Sequence, residues 1–158
     1  MDNASFGLVN NLLGQGRRVV LHCAAGLHRT GVMMYLVLRS MGHDSAEAVA
    51  KLIDEKTTAV FCESIGNPAG NVVDIEKWAE IAHTAGVPLI VDNTVATPVL
   101  CRVFDHGADV SVHSATKYIG GHGDTVAGIL VGGAEWMMQA RMEILRDVGG
   151  CISPFNAW

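Results

Sequence analysis

Leu89-Ile90-Val91-Asp92 is a short apolar run closed by an acid, with Gly86 and Pro88 before it and Thr97-Pro98 behind. An apolar run this short, bounded by turn formers, suits a strand buried on both faces of a sheet. The sequence around it repeats one alternation. Upstream, Ala59-Val60-Phe61-Cys62 reads as a strand and Asn67-Pro68-Ala69-Gly70 as a turn. Asp74 then caps a helix whose Ile75, Trp78, Ala79, Ala82 and Ala85 share one face. Downstream, Thr97-Pro98 starts a helix that Gly107 stops, and residues 108–113 form a strand with Val110 and Val112 inward. Residues 125–131 add a strand after Gly120-Gly121-His122-Gly123, and 134–147 a helix. Alternating strands and helices predict an α/β fold, a mainly parallel sheet with flanking helices.

The first third has its own pattern. Val19-Val20-Leu21 lies in a predicted strand over 17–23, Gly26 and Gly31 break it, and residues 29–41 are apolar on every side, as in a buried helix. Asp44 or Ser45 caps a second helix to about Lys56, with Glu47 placed for a capping box after Asp44. Residues 1–56 carry a charge of +1 and 57–158 a charge of −6. That step marks a junction at Lys56-Thr57 between two segments, expected to pack as one α/β domain.

Of the 158 residues, 49% are hydrophobic and 17% charged. Such a shortage of charge predicts surface that another subunit or a larger parent protein covers, so a homo-oligomer is expected. The run Ile152-Ser153-Pro154-Phe155-Asn156-Ala157-Trp158 reads as a cut rather than a natural finish. A net charge of −5 offers no basic field for nucleic acid or an anionic membrane. No signal segment or apolar run of spanning length is present, and Cys23, Cys62, Cys101 and Cys151 are too scattered for a zinc or disulfide framework. The expectation is a cytoplasmic protein. The histidines lack ligand spacing, and neither a Walker loop nor a dinucleotide fingerprint occurs.

In an open parallel sheet, ligands lie beyond the carboxyl ends of the strands, where Asp92 and Ser114-Ala115-Thr116-Lys117 fall. A cofactor with a pyridinium nitrogen needs a carboxylate to keep it protonated and a lysine to hold its aldehyde as a Schiff base. Asp92 and Lys117 supply both types, and Ser114 and Thr116 offer hydroxyls to a phosphate. Here a resemblance becomes specific. Glu63-Ser64-Ile65-Gly66-Asn67-Pro68, Val91-Asp92-Asn93-Thr94, Ala108-Asp109, His113-Ser114-Ala115-Thr116-Lys117-Tyr118, Gly121-His122-Gly123-Asp124 and Ser153-Pro154-Phe155 follow one another in the required order. From Thr57 to Trp158 the chain resembles the large domain of the Cys/Met-metabolism family of pyridoxal phosphate enzymes, a fold-type-I group. That group includes methionine and cystathionine gamma-lyases and O-acyl-homoserine sulfhydrylases.

The resemblance implies pyridoxal 5'-phosphate as cofactor and elimination or replacement at the gamma carbon of an amino-acid substrate. It makes Lys117 the catalytic lysine that also shuttles the alpha-proton, and Asp92 the partner of the ring nitrogen. Ser114 and Thr116 would hold the phosphate, Asn67 the ring hydroxyl, and Thr94 would pack on the ring face. The family's upstream glycine-rich loop, its stacking aromatic residue and its closing C-terminal domain are not recognisable in the sequence.

His22-Cys23-Ala24-Ala25-Gly26-Leu27-His28-Arg29-Thr30-Gly31 suggests different chemistry. Amides at a helix N-terminus bind an anion and lower a thiol pKa, and a guanidinium grips two phosphate oxygens. Residues 18–41 resemble the loop of protein tyrosine and dual-specificity phosphatases. That resemblance makes Cys23 the nucleophile and Arg29 the phosphate clamp, with Gly26 and Thr30 at the bound phosphate. Three expectations stand together: a pyridoxal phosphate lyase or transferase, truncated or chimeric; a cysteine phosphatase or phosphate-binding module; and an inactive fusion of two α/β segments.

Overall fold

The computed structural model describes residues 45–158. The chain divides into two compact units, Met1–Lys56 and Thr57–Trp158. In the first, α1 spans Ser45–Ala50, with Glu47 in its first turn and Ala46 and Ala48 buried. It ends sooner than the expected Lys56. The Leu52 amide bonds the Val49 carbonyl in a tight closing turn, and the Asp54 carboxylate then takes the Lys56 amide at 3.0 Å. An aspartate that captures a nearby amide competes with helix continuation.

In the second unit β1 (Val60–Glu63), α2 (Ile75–Thr84) and β2 (Leu89–Asp92) form a βαβ unit. A short helix α3 (Thr97–Leu100) and a 3₁₀ turn (Val103–His106) lead to β3 (Val110–Ser114), and β4 (Gly128–Gly132) follows. The sheet order is β1-β2-β3-β4. β1/β2 and β2/β3 are parallel and β3/β4 antiparallel, so the sheet is mainly parallel as expected. The four strands predicted beyond Thr57 are present, β2 with its expected bounds and the others shifted by one to three residues, while the strand predicted over 17–23 lies outside the described residues.

Asp74 caps α2 as its position predicts, accepting from the Lys77 amide at 3.1 Å. Ile75, Trp78, Ala79 and Ala82 form the buried stripe, and the helix packs on β2 and on the 3₁₀ turn. Leu89 and Val91 are fully buried at the centre of the sheet. Asp109 fastens the start of β2, its Oδ2 accepting from the Leu89 amide and from His83 Nε2, each at 2.8 Å.

The single helix expected from Thr97 to Gly107 is instead broken at Cys101, whose backbone is extended. Buried Asn93 explains the break, since its Nδ2 donates to the Cys101 carbonyl at 2.8 Å and pulls that carbonyl out of the helical ladder. Gly107 still provides the stop, with a left-handed φ of 90° that favours glycine. The helix predicted over 134–147 is observed as α4 (Ala134–Gln139), a π-helical segment (Ala140–Leu145) and α5 (Arg146–Val148), and α6 (Pro154–Ala157) ends the chain.

Ile129, Leu130 and Val131 of β4, the last strand in the described sheet, are exposed, as are Trp136, Met138 and Met142 beyond it. No helix among the described residues is long and apolar enough to cross a membrane.

Cys62 shows what burial in this sheet does to a titratable group. Desolvation, and then the Glu63 charge, push its thiol from 9.0 to about 12. The proton is held more tightly folded than unfolded, so this contribution to stability is whole below about pH 9 and is lost as pH rises toward 12. At pH 8 we expect iodoacetamide to label exposed Cys151 and to leave buried Cys62 unmodified until the chain is denatured. Equal labelling of the two by mass spectrometry would contradict that burial.

Candidate active site

A cavity of about 450 Å³ opens at the carboxyl ends of the three parallel strands. That volume falls within the range of small-molecule sites, roughly 300–1,000 Å³. Each strand contributes its last residue or the loop behind it: Glu63 and Asn67 after β1, Asp92 and Thr94 after β2, Ser114 and Lys117 after β3. Five sequence-predicted residues, Asn67, Asp92, Thr94, Ser114 and Lys117, thus line one space. Parallel pairing accounts for the convergence, because it brings every carboxyl end to the same side of the sheet.

Asp92 is half-buried and held from one side. Its Oδ1 accepts from the Thr94 amide at 2.9 Å and from the Thr94 hydroxyl. Among the described residues Oδ2 has no partner. The Thr94 hydroxyl in turn accepts from the Ser114 amide at 2.8 Å, joining the ends of β2 and β3. This bridging place was not legible in the sequence, where Thr94 was read as packing on a ring face. Replacing Thr94 by Val keeps its shape but leaves the Ser114 amide without its acceptor. The expected cost is about 1–3 kcal/mol, measured as a lower denaturant midpoint. An unchanged midpoint would show the bridge to be idle.

The turn after β3 sets Lys117. Its amide donates to the Ser114 carbonyl at 3.1 Å, and its carbonyl accepts from the Gly121 amide at 2.8 Å. Gly120 is required there, since a Cβ would meet the Ala115 carbonyl oxygen at 2.6 Å. The exposed Lys117 ammonium makes no hydrogen bond or ion pair among the described residues, and neither do the Ser114 hydroxyl and the Asn67 side-chain amide. The polar atoms left unspent are therefore an amine, one carboxylate oxygen, a hydroxyl and an amide. This donor set suits a protonated pyridine ring bearing an aldehyde and a phosphate, so the residues fit the expected cofactor.

Thr116 stands apart from these five. It does not line the cavity: its hydroxyl donates to the Ala127 carbonyl at 3.2 Å and accepts from the Ala127 amide at 3.0 Å. Its place is a strap to the approach of β4. Cys23, Gly26, Arg29 and Thr30 lie outside the described residues.

Sequence reasoning missed Glu63 as a cavity residue. The strand was read as ending at Cys62, whereas register pairs Glu63 with Asp92 and puts both carboxylates at strand ends. Tyr118, read only as part of a motif, also lines the cavity.

Comparison with known proteins bears on this geometry. The family described as Cys/Met metabolism PLP-dependent enzyme matches residues 7–158. The chain belongs to that family. Among curated relatives, homocysteine synthase of Schizosaccharomyces pombe is 41% identical over 73% of this chain and 35% of its own length. L-methionine gamma-lyase of Porphyromonas gingivalis is 41% identical over 84% of this chain and 33% of its own length. The crystal structure of cystathionine gamma-lyase from Lactobacillus plantarum complexed with L-serine superposes with a TM-score of 0.66 at 31% identity, covering 70% of this chain and 29% of that one.

The chain spans about a third of the length of the curated relatives it matches. Its fold is that of part of a fold-type-I pyridoxal phosphate large domain, as the sequence predicted. The family match runs through the loop from Cys23 to Arg29, and the phosphatase resemblance of that loop gains no support from it.

Proposed function

We propose that this chain carries the cofactor-holding segment of a pyridoxal phosphate enzyme of sulfur amino-acid metabolism, acting by elimination or replacement at the gamma carbon. The observation that carries the proposal is the convergence of Asn67, Asp92, Thr94, Ser114 and Lys117 on one cavity, with polar atoms of Asn67, Asp92, Ser114 and Lys117 unspent among the described residues and Thr94 bracing Asp92 and Ser114. Bound there, pyridoxal phosphate supplies an electron sink for charge developing at the substrate's alpha carbon. Lys117 would hold the aldehyde group through Nζ and, when free, would take and return the proton at the substrate's alpha carbon. Asp92 would keep the ring nitrogen protonated through Oδ2, because Thr94 occupies Oδ1. The Ser114 hydroxyl would donate to a phosphate oxygen, and the Asn67 amide to the ring oxygen.

The substrate class follows the relatives' names: a sulfur-containing amino acid such as methionine, or an activated homoserine ester. A homo-oligomer in the cytoplasm completes the proposal. It is supported by the exposed apolar residues of β4 and α4, and by Cys62, Cys101 and Cys151 being free thiols.

The test is the visible spectrum of the purified chain with pyridoxal phosphate, followed by borohydride reduction and peptide mapping. A yellow band that borohydride fixes as a pyridoxyl group on Lys117 is the expected result. A colourless protein, or label spread over surface lysines, would overturn the reading.

A further inference from the structure

Glu63 stands at the end of β1 in register with Asp92, yet its carboxylate faces a different task. One oxygen, Oε2, accepts from the backbone amide of Asn67 at 2.9 Å, across the first turn of the loop that leaves the strand. The rest of that loop is closed on itself. The Gly66 amide bonds the Asn71 carbonyl at 2.8 Å, the Gly70 amide bonds the Gly66 carbonyl at 2.7 Å, and Ile65 bridges Val72. Its base is fixed by buried Ser64, whose hydroxyl donates to Asn93 at 2.8 Å. Within this frame Asn67 lines the cavity with its backbone amide engaged and its side-chain amide without a partner among the described residues. An amide anchored through its main chain keeps both side-chain functions for a ligand, and a carboxylate acceptor makes that anchor stronger than a neutral one.

We propose that Glu63 is a positioning residue: its carboxylate clamps the Asn67 backbone, so that the Asn67 side chain is presented to the cavity already oriented. This rests on the cofactor reading for what Asn67 then binds, but the clamp itself belongs to the cofactor-free chain. Glu63 is exposed at the end of β1, so its replacement leaves the buried residues of the strand intact.

The experiment is amide hydrogen exchange of the cofactor-free protein in three forms, wild type, Glu63→Ala and Glu63→Gln, with the core Val91 amide as an internal control for folding. We expect exchange at the Asn67 amide to accelerate by roughly tenfold in Glu63→Ala, the scale of one charge-assisted hydrogen bond at an exposed site. Glu63→Gln retains an acceptor, so its acceleration stays within about threefold. Val91 exchanges as in the wild type in both. The second arm titrates pyridoxal phosphate: Glu63→Ala weakens binding by about the same factor and adds nothing in an Asn67→Ala background, because it acts through Asn67.

Unchanged Asn67 exchange in Glu63→Ala overturns the clamp, as does a full additional loss of binding in the Asn67→Ala background. A protein that stays colourless while its Asn67 amide accelerates refutes the cofactor reading and upholds the clamp.

Discussion

Lys117→Ala is expected to remove all borohydride-fixable pyridoxyl label, while the chain keeps its wild-type unfolding midpoint. Lys117 is exposed, its ammonium has no partner among the described residues, and the turn that carries it is held by main-chain bonds that alanine preserves. The loss therefore reads on chemistry and not on folding. No other described residue is placed to substitute, since Lys117 is the one amine lining the cavity among them. Lys117→Arg serves as a control for charge. A guanidinium keeps the positive charge beside Asp92 but stays protonated and does not add to an aldehyde, so it too is expected to give no label. Label retained in either variant would place the reactive lysine elsewhere and dismantle the proposed site.

Asp92→Asn is expected to weaken pyridoxal phosphate binding by roughly tenfold to a hundredfold, the equivalent of one charge-assisted hydrogen bond. The variant separates two duties that the wild-type carboxylate combines. Its remaining oxygen still accepts from the Thr94 amide and hydroxyl, so the bridge to Ser114 survives and unfolding stays close to wild type. The Oδ2 position, however, becomes an NH₂ group that meets a protonated ring nitrogen donor to donor. Asp92→Ala removes both duties and is expected to bind at least as poorly while also losing stability. Spectral titration gives the affinities and denaturant melts give the stabilities. Binding by Asp92→Asn equal to the wild type would mean that the ring nitrogen does not lie against this carboxylate.

Much of this site was legible because its residues sit where apolar runs stop. Asp92 closes a run whose Leu89 and Val91 had to be buried, and Ser114 closes the next. Parallel alternation then brings those ends together without knowledge of any contact. The side-chain bonds that cross between strands were not legible. Asn93 breaks the helix expected to run to Gly107 through a bond to Cys101, and no local pattern around Cys101 predicts it. The strand β4 read correctly as a strand, and its antiparallel direction follows from a glycine-rich return with no crossover helix between it and β3. Glu63 was hidden by a one-residue error in strand length. Thr116 has the residue type and spacing of a phosphate ligand, and its bonds to Ala127 in both directions were not legible beside them.

That last pair has a mechanical meaning. Thr116 and Ala127 share three hydrogen bonds, one from the Thr116 amide and two through its hydroxyl, immediately beside Lys117. Loosening of the lysine turn and fraying at the start of β4 are thereby expected to be linked openings. A ligand that immobilised Lys117 would then slow exchange of amides at a strand start it never touches.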